Sequence, residues 1–332
     1  MSKLIVVVGV TGAQGGSVAR TFSQVPDWRV RGITRTPSGD AAQALAAEGI
    51  EIVQGDLDDK QSLARAFEGA TVIFSNTDFF AHFYHALNPA NLPAGLSPGQ
   101  YAYDREVEQG VNIAAAAAES AVLRTLERFV MSSLSHASRW SGGKYTKIYH
   151  FDSKAEVIRL TRERHPEVAA RMSTLQIGHY VTNWKQLARL APERQADGSF
   201  VMSRPTSAAL RMPFIVTERD TGALVKALVD LPPGKDLLGV SEWMTFPEWV
   251  EVWGRMLGVK VGFRQISMEE MFEGVPGPMA QEIGDSFDYI EEFGFAGGDP
   301  DVLDPEQLDF KIPVTSMEEY IRSEDWSSIL NA

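Results

Sequence analysis

The stretch Gly9-Val10-Thr11-Gly12-Ala13-Gln14-Gly15 decides the fold, because it follows the apolar run 4–8 and precedes residues 17–22, which have helical spacing. Its three glycines, spaced three residues apart, allow a tight turn and close packing of the helix on the strand. The amide N–H groups at the start of such a helix are free to bind a pyrophosphate. An ordinary glycine-rich strand–helix turn is the alternative. We predict a nucleotide site contacted by Gly9, Thr11, Gly12, Ala13, Gln14 and Gly15.

Short apolar or β-rich segments recur along the first half of the chain, at residues 3–8, 28–34, 50–54, 71–76, 127–132 and 173–178. Helical stretches separate them, and residues 104–120 have the strongest helical pattern. The alternation predicts an α/β fold with a doubly wound parallel sheet of Rossmann type and a ligand crevice at the carboxyl ends of the strands.

This rhythm weakens after about residue 183, which predicts two domains. We expect residues 1–183 to form an NADP(H)-binding Rossmann domain and residues 184–332 a smaller α/β C-terminal domain for substrate or partner. The chain is expected to re-enter the first domain around residues 205–240. Thr245 and Glu248 have the spacing of a capping box, which predicts the start of a helix with Trp249 and Trp253 on one face. The acidic segment 268–310 is expected to form a solvated lid or edge.

The charge balance excludes one class of partner. Forty-four acidic and 31 basic side chains give a net charge of −13, which disfavours direct binding of nucleic acid. The chain has no cysteine, so disulfides and thiol chemistry are excluded. No apolar run reaches membrane-spanning length, and no leader precedes the first strand. We expect a cytoplasmic protein, possible also in the nucleus, with no membrane contact and no metal site.

The end of the second predicted strand indicates which dinucleotide binds. An NAD enzyme usually has Asp or Glu there to hold the adenosine ribose, whereas this chain has Arg35 followed by Thr36. A guanidinium can pair with a 2′-phosphate, which a carboxylate would repel. A solvated arginine at the strand end is the alternative, but it would not explain the missing acid. The pattern favours NADP(H).

Polar residues also follow the next two strands. Asp56 and Leu57 come after the third strand, where Asp56 could accept a hydrogen bond from the adenine amino group. Asn76 and Thr77 come after the fourth strand, beside the expected ribose and pyrophosphate. We predict that all four residues contact the cofactor.

The candidate catalytic residues depart from the usual pattern of a short-chain reductase, which is Tyr-x-x-x-Lys with an upstream serine. Lys154 is present, but His150 stands four residues before it, and Tyr149 points about 100° away on a helix. Ser133 follows the fifth strand at the usual serine position. His150 could donate a proton, since imidazole titrates near neutrality. Alternatively the acid is lost and Lys154 only binds ribose, or Lys154 works alone.

Residues 78–103 interrupt the strand–helix rhythm with an aromatic segment and a loop rich in Pro, Gly and Asn. The segment follows the fourth strand, at the edge of the expected crevice. It could therefore cap a pocket for a small-molecule substrate. A surface excursion or a contact between subunits, in a possible homodimer, is the alternative.

The chain resembles the NmrA-like family of atypical short-chain dehydrogenases. The resemblance rests on stretches distributed over the whole chain: residues 9–20, Arg35-Thr36-Pro37, Val53-Gln54-Gly55-Asp56, His150-Phe151-Asp152-Ser153-Lys154, residues 176–184, Asp220-Thr221-Gly222 and Met244-Thr245-Phe246. It implies that NADP(H) lies in the cleft between a Rossmann domain and a smaller domain. It also implies that Lys154 contacts the nicotinamide ribose, with Tyr180 to Asn183 along the nicotinamide half.

The resemblance leaves two functions open, because the family contains both reductases and redox-sensing regulators. The first is an NADPH-dependent reductase of a small carbonyl, enone or imine compound that binds near residues 78–103. The second is a non-catalytic NADP(H) sensor that acts through a protein partner such as a transcription factor. The chain departs from the family at Gln109-Gly110-Val111, where many members have Lys, and in its long aromatic insertion. Both departures favour the reductase.

Overall fold

The structure is a computed structural model that describes residues 2–331. The strands within that range are β1 Lys3–Val8, β2 Trp28–Thr34, β3 Glu51–Gln54, β4 Val72–Ser75, β5 Arg128–Ser133, β6 Met172–Ile177, β7 His179–Tyr180, β8 Glu193–Arg194, β9 Phe200–Arg204, β10 Arg211–Ile215, β11 Asp236–Gly239, β12 Glu242–Thr245, β13 Val261–Gln265 and β14 Val302–Leu303.

The α-helices of the same range are α1 Ala13–Ser23, α2 Asp40–Ala47, α3 Lys60–Phe67, α4 Phe79–Ala86, α5 Pro98–Ala117, α6 Ser120–Leu123, α7 Ala137–Trp140, α8 Tyr149–Arg164, α9 Pro166–Ala169, α10 Thr217–Asp230, α11 Phe246–Leu257, α12 Met268–Met271, α13 Gly277–Phe293, α14 Met317–Ser323 and α15 Ser327–Leu330. Short 3₁₀ turns cover Pro89–Asn91, Val181–Lys185, Ala188–Leu190 and Pro305–Gln307. Within residues 2–331, no helix has both the length and the apolar character that a membrane crossing requires.

A parallel sheet of eight strands, in the order β14-β11-β6-β5-β4-β1-β2-β3, forms the centre of the molecule. The part running from β3 through β1 to β6 has the strand order of a doubly wound Rossmann fold. This order confirms the predicted fold class, and all six predicted strands lie within one residue of the predicted ends. The helix predicted at 104–120 begins earlier, at Pro98, because Ser97 caps it by accepting a hydrogen bond from Gln100 N.

Alternating side chains of β1 explain why helices cover both faces of the sheet. Ile5 and Val7 belong to an apolar cluster with α1 and α10, whereas Leu4, Val6 and Val8 belong to a cluster with α3, α5 and α8. Because side chains alternate across a strand, a strand covered on both faces needs a continuous apolar run. The run 4–8 supplies it, and all five side chains are buried.

The contact between α1 and α10 requires a glycine. A Cβ atom on Gly222 would lie 2.0 Å from the Thr21 side-chain oxygen. The backbone N–H of Gly222 instead donates to the Ser17 hydroxyl at 3.0 Å. This contact packs residues 217–230 directly against helix α1.

The second half of the chain builds a separate apolar cluster and two three-stranded sheets, β12-β10-β7 and β13-β9-β8. The predicted capping box is present, since Thr245 Oγ1 accepts from Glu248 N and the Glu248 carboxylate accepts from Thr245 N. Trp249 and Trp253 are buried on the inner face of α11. Strands β11 and β14 return to the large sheet. The division at residue 183 stays a prediction.

Segment 268–310 differs from the expected solvated surface. Its strand β14 does form an edge of the large sheet. Its helix α13, however, buries Met279, Glu282, Phe287 and Tyr289. The buried face of α13 could not be recognised from the acidic composition of the segment, because most of the acidic residues lie on the exposed side of the helix.

We predict that Gly15→Ala destabilises the protein. The new Cβ would lie 2.3 Å from the Gly9 carbonyl oxygen, and backbone cannot move away as a flexible side chain can. The expected loss in the free energy of unfolding is about 1–3 kcal/mol, measured by urea denaturation. Gly16→Ala is the matched control in the same helix, because its nearest new neighbour is the flexible Arg20 side chain at 3.3 Å. Equal losses in the two variants would contradict the prediction.

Candidate functional site

The predicted cofactor residues up to Thr77 all follow the ends of strands β1 to β4. The glycine turn follows β1, and the other predicted residues follow the next three strands along the chain: Arg35 and Thr36 after β2, Asp56 and Leu57 after β3, Asn76 and Thr77 after β4. Because the strands are parallel, their carboxyl ends share one edge of the sheet. The fold therefore gathers these residues along a single crevice edge.

The glycine turn has the geometry of an anion-binding helix start. Gly9 has a φ of +65°, and its carbonyl accepts from Gly12 N at 3.0 Å. Gly12 caps α1 without any side-chain hydrogen bond to the first turn. Thr11, Gly12 and Ala13 are exposed. The first amide N–H groups of α1 are therefore open to an anionic ligand.

Arg35 is exposed and makes no hydrogen bond or ion pair through its side chain within residues 2–331. Arg31, on the same strand, differs: it pairs with Glu51 at 3.0 Å and donates to two backbone carbonyls. Thr36 is also exposed, and its N–H donates to the Thr34 hydroxyl at 3.2 Å. Beyond β2, the guanidinium of Arg35 is thus available to a ligand.

The loop after β3 is held in place while leaving polar atoms uncommitted. Asp56 N donates to the Ser62 hydroxyl at 3.0 Å, and one Asp56 carboxylate oxygen accepts from Asp58 N at 3.0 Å. The Leu57 carbonyl accepts from the Asn112 side chain at 2.9 Å.

Asn76, after β4, places its side-chain oxygen 3.1 Å from where a Cβ of Gly9 would be. A Cβ atom at position 9 would crowd this side chain, and the positive φ of Gly9 independently disfavours any other residue there.

Lys154 takes part in a buried network that joins three elements. Its ammonium group pairs with Glu106 on α5, which is fully buried. Glu106 also accepts from the Ser153 hydroxyl and, at 2.6 Å, from the Thr77 hydroxyl beyond β4. Lys154 lies 3.4 Å from the same Thr77 oxygen. The carboxylate thus compensates the lysine charge and fixes the position of its nitrogen.

His150 lies one turn before Lys154 on α8 and is oriented by a second carboxylate. Its Nδ1 lies 2.6 Å from Glu282 Oε1, and its backbone N–H donates to the same oxygen at 2.8 Å. Glu282 comes from α13 and is 2% exposed. The Nε2 atom of His150 makes no hydrogen bond to the described residues, and the His150 side chain is 11% exposed. The imidazole is therefore fixed through one nitrogen while the other stays available.

Aromatic rings surround this histidine. Its ring centre lies 5.9 Å from that of Phe79 and 5.2 Å from that of Phe80, both on α4. Helix α4 is the aromatic part of the insertion at 78–103, which begins as a helix capped by Asp78. Phe79 is buried, whereas Phe80 is half-buried. The insertion therefore supplies an apolar wall next to a polar, oriented imidazole.

Tyr149 and Ser133 lie away from this pair. The Tyr149 ring packs on α5, so closely that a Cβ on Gly99 would lie 2.4 Å from it. Ser133 is fully buried and its hydroxyl lies 3.5 Å from the Leu134 carbonyl. The neighbouring Ser132 hydroxyl is buried without a partner in the described chain. A catalytic role of Ser133 stays a prediction with no supporting contact.

Tyr180 and Asn183 follow β6, and Tyr180 connects this region to the glycine turn. The Tyr180 hydroxyl accepts from Gln14 Nε2 at 2.7 Å. Burial raises the pKa of Tyr180 to about 12, so its phenol stays protonated at neutral pH and can donate a hydrogen bond. Asn183 lies in the 3₁₀ turn 181–185 and is half-buried. Both residues line a cavity of about 20 Å³.

The sequence analysis missed Glu106 and Glu282. A signal for Glu106 exists, because it shares the buried face of α5 with Ala102, Gln109 and Ile113 at helical spacing. A lone carboxylate in such a face indicates a buried partner. Glu282 has the same signal on α13, where it shares a buried face with Met279, Ser286 and Ile290, but its partner His150 lies 132 residues away along the chain. Among the described residues, no three His, Asp or Glu side chains converge as metal ligands.

Comparison with known proteins places this geometry in a family. The profile described as the NmrA-like family matches residues 1–325. An NmrA-like family domain-containing oxidoreductase of Aspergillus hancockii, hkm9, is 30% identical over 293 residues, covering 83% of this chain and 79% of the relative. The oxidoreductase cpsB of Aspergillus campestris is 28% identical over 287 residues, covering 82% and 78%.

Solved structures show the same fold. NmrA, described as a negative transcriptional regulator and solved in complex with NADP, has a TM-score of 0.71 and 22% identity, covering 97% of this chain and 95% of its own. The triphenylmethane reductase of Citrobacter sp., complexed with NADP(H), has a TM-score of 0.62 and 18% identity, covering 96% and 99%. One of these proteins is a transcriptional regulator and the other a reductase, so the shared fold does not by itself assign an activity.

We predict that Glu106→Gln lowers the free energy of unfolding by about 3 kcal/mol, because it leaves the buried Lys154 ammonium without a compensating charge. Glu163→Gln on α8 is the control, since its pair with Arg159 is exposed and should contribute less than about 1 kcal/mol. The double variant Glu106→Gln/Lys154→Met should be more stable than Glu106→Gln alone, because no charge remains buried. Urea denaturation measures all three. A double variant no more stable than the single one would show that charge compensation is not the cause.

Proposed function

Because this chain belongs to the NmrA-like family, we propose that it is an NADPH-dependent reductase of a small, fairly apolar carbonyl, enone or imine compound. The observation that carries the proposal is the buried contact between His150 and Glu282. His150 also lies against the aromatic helix α4 and on the same helix as Lys154. An oriented imidazole beside an apolar wall suits a reaction that needs both a proton donor and a dry pocket.

The residues at the crevice edge fit a dinucleotide phosphate. The start of α1, where no side chain caps the first amide N–H groups, would hold the pyrophosphate. Arg35, whose side chain has no partner within the described chain, would hold the 2′-phosphate of NADP(H). Asp56, Leu57, Asn76 and Thr77 would contact the adenosine and ribose portions. The nicotinamide supplies hydride to the substrate when the cofactor is bound.

Lys154 would bind the nicotinamide ribose. An ammonium group has three N–H donors. Two of the donors of Lys154 are directed at Glu106 and Thr77 within the protein. One donor is left for a ribose hydroxyl. Because Glu106 compensates the charge, the ammonium can stay in this buried position without a phosphate beside it.

His150 would donate the proton to the carbonyl oxygen. In this role Glu282 would accept a hydrogen bond from Nδ1–H and hold the ring, and Nε2, which has no partner among the described residues, would carry the transferred proton. After the proton leaves, the partly exposed ring can be reprotonated from solvent. An iminium substrate would need hydride but no proton on oxygen, and it would bypass this residue.

Helix α4 would set the substrate class. The rings of Phe79 and Phe80 lie next to His150, while Tyr84 is 53% exposed. Such a wall favours an apolar or aromatic substrate. A protein partner, a homodimer and a cytoplasmic or nuclear location are proposals that none of these contacts addresses.

We predict that Arg35→Ala weakens binding of NADP⁺ by about 10–100-fold, because a charged hydrogen bond to the 2′-phosphate is lost. Binding of NAD⁺ should change by less than about twofold, since NAD⁺ has no phosphate there. Isothermal titration calorimetry measures both. Arg29→Ala is the matched control, an exposed arginine at the opposite end of β2. Equal weakening of NADP⁺ and NAD⁺ binding would exclude this role for Arg35.

We predict that His150→Gln lowers kcat for carbonyl substrates by about 100-fold while leaving NADPH affinity unchanged. Reduction of a preformed iminium should be unaffected, and Tyr149→Phe should match the wild type with every substrate. NADPH oxidation at 340 nm, over a panel of aromatic aldehydes, enones and cyclic imines, measures these rates. Tight NADPH binding with no oxidation across the panel would overturn the reductase and favour the alternative, a non-catalytic NADP(H) sensor with a protein partner.

A further inference from the structure

A second buried cation lies in the C-terminal half of the chain, and no carboxylate contacts it. Arg204, at the end of β9, is 3% exposed. Its two terminal nitrogens donate to the backbone carbonyls of Ser203 at 2.8 Å and Leu190 at 2.6 Å. The guanidinium lies 4.6 Å from the ring centre of Phe246. None of these contacts carries a negative charge, and within residues 2–331 Arg204 has no ion pair.

Unused hydrogen-bond donors meet at the same place. Arg204 Nε and Trp249 Nε1 are both buried, and neither has an acceptor in the described chain. Both residues line the cavity of about 20 Å³ that Tyr180 and Asn183 also line. A cavity of that volume has room for about one oxygen atom beside these donors, so only the end of a larger ligand could enter it.

The remaining polar wall adds no negative charge. Burial, together with the positive charge of Arg204, lowers the pKa of His179 to about 3, so this imidazole is neutral at physiological pH. His179, Tyr180 and Asn183 are only half-buried, whereas Arg204 and Trp249 are buried. The cavity thus combines buried donors and a positive charge with more accessible residues, and two of these, Tyr180 and Asn183, are predicted to lie along the nicotinamide half.

We propose that this cavity binds a carboxylate, with one carboxylate oxygen held between Arg204 Nε and Trp249 Nε1. A water molecule could accept the same hydrogen bonds, but it would leave the guanidinium charge uncompensated. A carboxylate both accepts and neutralises, and charge-assisted hydrogen bonds of this kind are about twice as strong as neutral ones. The carboxylate belongs either to a small free acid or to the acid group of the substrate.

The position of Tyr180 relates this site to the proposed reaction. Its hydroxyl contacts Gln14 in the first turn of α1, and its ring lines the cavity. A substrate carboxylate anchored by Arg204 would therefore leave the rest of the molecule near the nicotinamide half of the crevice. This substrate arm rests on the proposed reductase function, whereas binding of a free carboxylate does not.

The test uses the full-length protein without cofactor and formate as the probe. Thermal unfolding is recorded over a formate series, with the ionic strength held constant by sodium chloride. For the wild type we expect a saturable rise in Tm of about 3 °C at formate well above its Kd. Arg204→Met should abolish the rise, and Trp249→Phe should reduce it.

Trp253→Phe is the matched control. Trp253 lies on the same helix as Trp249, is fully buried, and also has an indole N–H without a partner, but it does not line the cavity. Its variant should keep the full formate response. If Arg204→Met fails to fold, the comparison of the two tryptophan variants decides. The absence of a saturable response in the wild type, or an equal response in Trp249→Phe and Trp253→Phe, would overturn the site.

A second arm distinguishes the two sources of the carboxylate. If formate inhibits NADPH oxidation competitively with an acidic aldehyde but not with a neutral one, the substrate's own acid group occupies the site. If formate raises Tm and leaves both reactions unaffected, the site binds a free acid. Because the Tm response is measured without cofactor, a failure of the reductase proposal would leave it unchanged.

Discussion

The buried carboxylate of Glu106 is the contact on which the arrangement of the candidate site depends. It receives hydrogen bonds from Lys154, Ser153 and Thr77, and so ties α5 and α8 to the end of β4. A fully buried carboxylate is unfavourable unless its hydrogen-bonding capacity is filled. Any displacement of α8 relative to the sheet would leave it unfilled, so the position of α8 is strongly determined. His150 and Lys154 both lie on α8, so the position of this helix determines where they lie.

The same helix contacts the C-terminal half of the chain through Glu282. Helix α13 brings this carboxylate to His150, and its Met279 packs with Phe79 and Phe83 of α4 in one apolar cluster. The histidine therefore lies where three elements from distant parts of the chain converge. A residue placed in this way is oriented by both the sheet and the C-terminal half. Relative movement of these parts would change the imidazole environment directly.

The sheet could be predicted from the sequence because its information is local. The run 4–8 is apolar at every position because both faces of β1 are covered. The glycines at 9, 12 and 15 indicate that α1 packs closely against the strand. The contact between Glu282 and His150 could not be predicted, because 132 residues separate them along the chain. Arg204 is a similar case. Its alternation with Phe200 and Met202 puts it on the buried face of β9, but the alternation does not indicate what the guanidinium contacts.

The two buried cations, Lys154 and Arg204, differ in whether the protein compensates their charge, and this difference indicates where a ligand would make contact. Lys154 is compensated by Glu106 inside the protein, so its ammonium needs no ligand to be stable. Arg204 is satisfied only by carbonyls and a ring face, so its charge is balanced by nothing within the described chain. A protein tolerates such an imbalance where something from outside supplies the opposite charge. A molecule bound in the crevice would then contact a lysine whose charge is already compensated by Glu106 and an arginine whose charge is not. This asymmetry favours a ligand whose negative charge lies away from the reacting carbon.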